Sequence, residues 1–176
     1  MERSDIIDGS QIAAGDALIG LASNGPHSNG YSLIRKLLER APDDQIDGRP
    51  VAEAMLEPTR IYVRPVLELI KTVTVKGLAH ITGGGITENL PRIHGESLHA
   101  EIDTSSWEQG PVFDWLAEAG NIETAEMRRT FNCGVGMIVV VDGESAEKAV
   151  AELHTVGEDA WIIGRMAEGA GEVRFL

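Results

Sequence analysis

The sequence predicts an α/β or α+β domain, a β-sheet covered by helices. Three observations predict it. Short β-prone runs, such as ALIGLA at 17–22 and VGMIVVV at 135–141, are bounded by turn residues or sharp glycines. Segments with apolar residues at helical spacing, such as 30–40 and 144–156, lie elsewhere along the chain. The two kinds interleave, as expected of a sheet with helices packed on it.

Residues 1–16 are polar, with turns at Asp8–Gly9 and Gly15–Asp16, and read as a linker remnant ahead of a domain spanning 17–176. Residues 17–22 make a buried strand, followed by a glycine-containing loop. Over 30–40, Leu33, Ile34, Leu37 and Leu38 share one helical face. The segment 41–50 is a turn-rich connection, and 51–57 a short helix ending before Pro58. A helix over 63–72 tolerates Pro65 only in its first turn. Residues 73–81 are β-rich and lead into a second glycine loop. Ile86–Leu90 supply one or two helical turns stopped by Pro91. Residues 97–102 alternate like a half-exposed strand. Pro111 starts a helix that runs to Gly120, and Glu123–Arg129 form a second short one. Val135–Val141 is a strand, and 144–156 a helix with Ala146, Ala149, Val150 and Leu153 inward. Ala160–Met166 and Glu172–Leu176 are closing strands around a turn at Gly169–Gly171.

The chain has 176 residues and a net charge of −13 at pH 7. A surface this acidic opposes nucleic acid and anionic membranes as partners, because their phosphates need clustered Lys and Arg. Cys133 is the only cysteine, which excludes an intrachain disulfide and points to a reducing compartment. No apolar run approaches the roughly 20 residues of a membrane span, and the first residues lack a signal-peptide core. The expected location is cytoplasmic.

Two loops carry the chemistry: SNGPHSNGY at 23–31 and HITGGGITENLP at 80–91. Each follows a β-prone run and opens a helix. Such loops aim backbone N–H groups one way, at the positive end of a helix dipole, and hold an anion without Lys or Arg. Two of them in one domain imply a phosphorylated ligand. In the first loop, Gly25 and Gly30 allow unusual backbone angles and Pro26 adds rigidity. Ser23, Asn24, Ser28 and Asn29 are small donors and acceptors, and Asn29 serves equally well as the cap of a helix beginning at Gly30. His27 is a donor to phosphate or a proton-transfer group. In the second, Gly83, Gly84 and Gly85 are entropically expensive, which implies close approach of a backbone or a ligand. Thr82, Glu88 and Asn89 flank them. Thr87 reads as a helix cap. His80 ends the preceding strand, as a functional group or a satisfied core histidine. Arg60 fits either a phosphate or carboxylate clamp or a surface cation.

Other patterns carry less. GVGMIV at 134–139 lacks a third glycine and precedes a strand, so its glycines are read as permitting a bulge or close packing. His94, Glu96 and His99 lack metal-ligand spacing and read as a solvated turn entering a strand; no metal site is expected on the chain. Cys133 reads as a small buried hydrophobe.

At these loops the chain resembles the C-terminal domain of the aminoimidazole ribonucleotide synthetases, the phosphoribosylformylglycinamidine cyclo-ligase family. The similarity runs in order through RSDIIDG, GDALIGLASNGPHSNGYSLIRKLL, LEPTRIYV, HITGGGITENLPR, SSW, VFDWLAEAGNIE, EMRRTFNCGVGM and the IG at 163–164. It implies the C-terminal fold of that superfamily, an α+β domain with a mixed β-sheet covered by helices. It also implies a share in closing the imidazole ring of formylglycinamidine ribonucleotide, with ATP activating the formyl oxygen, to give aminoimidazole ribonucleotide in purine biosynthesis. ATP and Mg would be held mainly by an N-terminal domain that this chain lacks, so the chain alone should be inactive. The expected partners are that domain, a second copy in a homodimer of the full enzyme, and the phosphoribosyl substrate. By position, the resemblance puts the substrate loop on Ser23–Gly30 and the second anion loop on Thr82–Gly85, with Glu88 and Asn89 beside it.

Overall fold

In the computed structural model, which describes residues 6–176, the strands are β1 (Ala17–Ala22), β2 (Gln45–Ile46), β3 (Arg49–Pro50), β4 (Val75–His80), β5 (Leu98–Ile102), β6 (Val135–Val141), β7 (Ala160–Glu168) and β8 (Val173–Phe175). The helices are α1 (Tyr31–Arg40), α2 (Val51–Met55), α3 (Val63–Ile70), α4 (Gly85–Asn89), α5 (Pro111–Gly120), α6 (Thr124–Thr130) and α7 (Ala146–Thr155). Six strands form one sheet in the order β4-β6-β1-β7-β5-β8, and β2–β3 form a separate hairpin. All pairings in the large sheet are antiparallel except β5 with β8. The sheet is therefore mixed and the fold α+β.

Alternation along the strands sorts the core onto two faces. On β1, Ala17, Ile19 and Leu21 face the cluster that α3 and α7 cover, joined by Val139, Val141, Leu69 and Leu153. Leu18 faces the opposite cluster, with Val140, Ile102 and Ile163. A third cluster lies among α1, α2, α5 and α6, built on Ile34, Leu37, Met55, Leu116 and Phe131.

Several expectations shift in the structure. The 41–50 connection contains the β2–β3 hairpin, turned at Asp47 and Gly48, both with positive φ. Pro91 does not end the helical segment. It sits in the first turn of a 3-10 helix over Leu90–Ile93, where the missing N–H leaves no bond unmade. β5 is an interior strand between β7 and β8, so His99 and Ala100 are both buried and half-exposed alternation fails there. The turn at Gly169–Gly171 does not pair β7 with β8; β8 lies beside β5 instead. The segment expected as a helix from 144 begins as a 3-10 turn over Gly143–Ser145. Packing also starts ahead of β1. Ile12 is buried in the core, and Asp16 is buried against Lys76 at 2.6 Å.

Candidate functional site

The topology brings the two glycine loops together. β1 and β4 both pair antiparallel with β6, one on each side, so they point the same way. Ala22 lies opposite Val135 and His80 opposite Met137, so both loops leave the sheet where β6 enters it. A Cβ built on Gly83 would lie 3.4 Å from Asn29 Oδ1, which puts the loops in contact. Between them stands the segment Asn132–Gly136, which leads into β6.

Main-chain amides on the exposed side of both loops are open. Those of Ser28 and Gly30, and of Gly83 and Gly84, donate to no protein atom among the described residues. Ser28 and Gly83 are exposed, and Gly30 and Gly84 half-buried. The first loop opens the ten-residue helix α1. The second opens α4, which has only five residues, so a dipole at that end contributes little. Near Gly84 the space is taken by Glu88: a Cβ there would lie 2.7 Å from Glu88 Oε2. The Glu88 carboxylate is paired with Arg129 at 3.2 Å.

The close approach expected at the glycine run is made by the chain itself at Gly85. Its φ is +59°, and a Cβ would sit 1.9 Å from the carbonyl oxygen of Arg128. The caps differ from expectation too. Gly84 and Gly30, both left-handed, cap α4 and α1, while Thr87 lies inside α4. Asn29 turns back instead, donating to the carbonyl of His27 at 2.8 Å.

Most other polar side chains of the loops are used internally. Ser23 Oγ donates to Asn132 Oδ1 at 2.8 Å. Asn24 Nδ2 donates to the Pro58 carbonyl at 2.8 Å. Thr82 Oγ1 donates to Asn89 Oδ1, and Asn89 Nδ2 donates to the carbonyls of Gly83 and Gly85. Arg60, expected as a clamp or a free surface cation, is paired at 2.9 Å with Glu158, which is buried. Burial raises the Glu158 carboxyl above its ordinary pKa, and Arg60 opposes that shift.

His27 and His80 meet, with ring centroids 6.3 Å apart, and Tyr62 stands 6.1 Å from each. His27 is buried and His80 exposed. His27 Nε2 lies 2.6 Å from Asn24 Oδ1, and the bond from Asn24 Nδ2 to Pro58 fixes that oxygen toward the ring. Nε2 also accepts from the main-chain amides of Asn24 at 3.3 Å and Arg60 at 3.4 Å. Nδ1 has no hydrogen-bond partner among the described residues. Burial, then His80 and Arg60, lower the His27 pKa to about 4, so it is neutral at pH 7. Tyr62 donates to the Ala22 carbonyl at 2.7 Å, and burial raises its pKa.

Gly136 makes this arrangement possible: a Cβ there would lie 2.0 Å from the Tyr62 hydroxyl and 2.7 Å from His27 Cε1. The close-packing reading of that glycine holds, and a register shift between Leu21 and Ala22 lies alongside. Cys133 is buried, with its thiol pKa pushed up to about 12 by that burial. His99 is buried rather than solvated, 3.4 Å from Glu101. Sequence reasoning missed Tyr62, Asn132 and Glu158. Asn132 and Gly136 sit inside EMRRTFNCGVGM, but no spacing rule links them to a loop over 100 residues earlier.

The chain is similar to known proteins along most of its length. The sequence matches the family described as AIR synthase related protein, C-terminal domain, over residues 13–176. It is 53% identical over 177 residues to a phosphoribosylformylglycinamidine cyclo-ligase of Methylobacillus flagellatus, covering 98% of this chain and 51% of that protein. The chain thus spans about half the length of that curated relative. Solved structures share the fold at low identity. HypE of E. coli, a hydrogenase maturation protein, has a TM-score of 0.65 at 23% identity, covering 95% of this chain and 48% of that one. Thiamine-monophosphate kinase of Stenotrophomonas maltophilia has a TM-score of 0.66 at 13% identity, covering 99% and 54%. With the glycine loops, their shared exit from the sheet and this sequence match taken together, the chain belongs to the AIR synthase related family, as a C-terminal domain.

Proposed function

We propose that the chain is the substrate-holding half of an ATP-dependent cyclo-ligase that closes the imidazole ring of formylglycinamidine ribonucleotide in purine biosynthesis. The observation that carries the reading is the convergence of two glycine loops with open amides at one end of the sheet. Those amides receive the phosphate of the ribonucleotide; in a chain of net charge −13, main-chain donors do what a basic patch would do elsewhere. Glu88, held by Arg129, moves off Gly84 as the anion arrives. His80, exposed beside the loops, exchanges the proton, and neutral His27 holds the first loop in shape.

Among the described residues no three His, Cys, Asp or Glu side chains come together to hold a metal ion. In this reading Mg-ATP is bound mainly by the other half of the full-length protein. That half docks on the apolar surface formed by Ile61, Val63, Leu67 and Ile70, which are 78, 63, 55 and 40% exposed beside Arg60, Tyr62 and His80. The full protein works as a cytoplasmic homodimer. Among the described residues no helix is long and apolar enough to cross a membrane.

The test is reconstitution. The chain is mixed with the separately expressed N-terminal half of a cyclo-ligase, and ADP release is followed on adding formylglycinamidine ribonucleotide. Turnover is expected from the pair and from neither half alone, and His80→Ala should lower it by about 100-fold or more. Turnover by the lone chain, or an unchanged rate in His80→Ala, contradicts the reading.

A further inference from the structure

Each glycine loop is braced by one buried asparagine. Asn89 braces the second loop from within its own helix, through the bonds to Gly83 and Gly85. The first loop is braced from a distance. Asn132 is 1% exposed, and its carboxamide makes three hydrogen bonds. Its Oδ1 accepts from Ser23 Oγ at 2.8 Å and from the Gly134 amide at 3.0 Å. Its Nδ2 donates to the Gly25 carbonyl at 2.9 Å. Alongside, the Ser23 amide donates to the Gly134 carbonyl at 2.9 Å. The segment from Ser23 to Gly25 is thereby tied to the entrance of β6, directly before the open amides of Ser28 and Gly30.

We propose that Asn132 is a positioning residue of the anion site: it touches no substrate, and it fixes the first glycine loop in the conformation that aims its amides at the ligand. The proposal rests on the anion-binding reading for its functional consequence, but the clasp is a property of the loop itself. The geometry favours this over simple core filling. A buried residue that only filled space would be apolar, whereas this side chain reaches across more than 100 residues of sequence to satisfy one carbonyl and two donors of the loop and its neighbour. Aspartate is not equivalent, because its second oxygen would face the Gly25 carbonyl with no proton between them.

Asn132→Ala and Asn132→Asp are compared with Ile163→Val, a core truncation on β7. Amide exchange and the affinity for inorganic phosphate are measured by NMR on the same samples. In both Asn132 variants, exchange at the Ser23 and Asn29 amides should speed up by about tenfold beyond the general loosening seen in Ile163→Val. Phosphate affinity should fall by a similar factor in the Asn132 variants and remain at the wild-type value in Ile163→Val. Should Asn132→Ala fail to fold, Ser23→Ala removes one of the three bonds and should give the same pattern at about threefold. Ser23 and Asn29 amides exchanging as in wild type at matched stability would overturn the proposal. Wild-type protein that binds no phosphate would overturn the anion-binding reading, with the exchange data still deciding the clasp.

Discussion

At the scale of single residues, the arrangement depends on what Gly136 leaves room for. The Tyr62 hydroxyl and the His27 ring occupy the volume a side chain would need. Gly136→Ala should therefore destabilise the protein by about 1–3 kcal/mol, since the two rings cannot both move away. Denaturant unfolding of the two proteins measures this. His27 carries a pH signature. The folded chain keeps it neutral down to about pH 4, against an ordinary value of 6.5. Between those values the unfolded chain binds a proton that the folded chain refuses. Stability from this group is complete above pH 6.5 and declines as the pH falls toward 4. The full shift corresponds to about 3 kcal/mol. His27→Gln should flatten the stability profile by that amount between pH 6.5 and 4, and a profile parallel to wild type would contradict the assignment. These residues were unequally legible. His27 stood out as a histidine in a glycine loop, but its burial did not, because burial comes from Tyr62 and β6, which are distant in sequence. Arg60 was legible as a cation near the site; its buried partner Glu158, 98 positions later, was not.

At the scale of elements, the strands and most helices were legible because each carries its period and its stop signals locally. β1, β6 and α1 lie within a residue of their expected bounds. What failed was neighbourhood. β5 was read as half-exposed because its alternation is visible locally, while β8 lying alongside is not. The glycine run was read as room for a backbone or a ligand, and at Gly85 it is the backbone of α6 that comes close, a partner the local sequence does not name. α3 illustrates the converse. Its amphipathic pattern was clear, yet Leu67 and Ile70 remain exposed on the side away from Leu69. The docking proposed above would cover that surface, and leaving it bare predicts a concentration-dependent tendency of the isolated chain to self-associate. Leu67→Lys with Ile70→Lys should suppress that tendency in sedimentation equilibrium. The change in folding free energy should stay within about 0.5 kcal/mol per site, since both side chains are exposed.

At the scale of the molecule, the meeting of the two loops follows from strand order. Because β6 lies between β1 and β4 and runs against both, two loops separated by about 50 residues of sequence leave the sheet at the same end. The two loops were legible as a pair of anion-binding candidates; their convergence required β6, whose position between them no local signal announces. The central claim is that they act as one binding surface. Its most direct test is a titration of the 15N-labelled chain with inorganic phosphate, followed by amide chemical shifts. The amides of Ser28, Gly30, Gly83 and Gly84 should move together along one binding curve with a single Kd. Shifts confined to one loop, two unrelated curves, or no shift in either loop at saturating phosphate would contradict it.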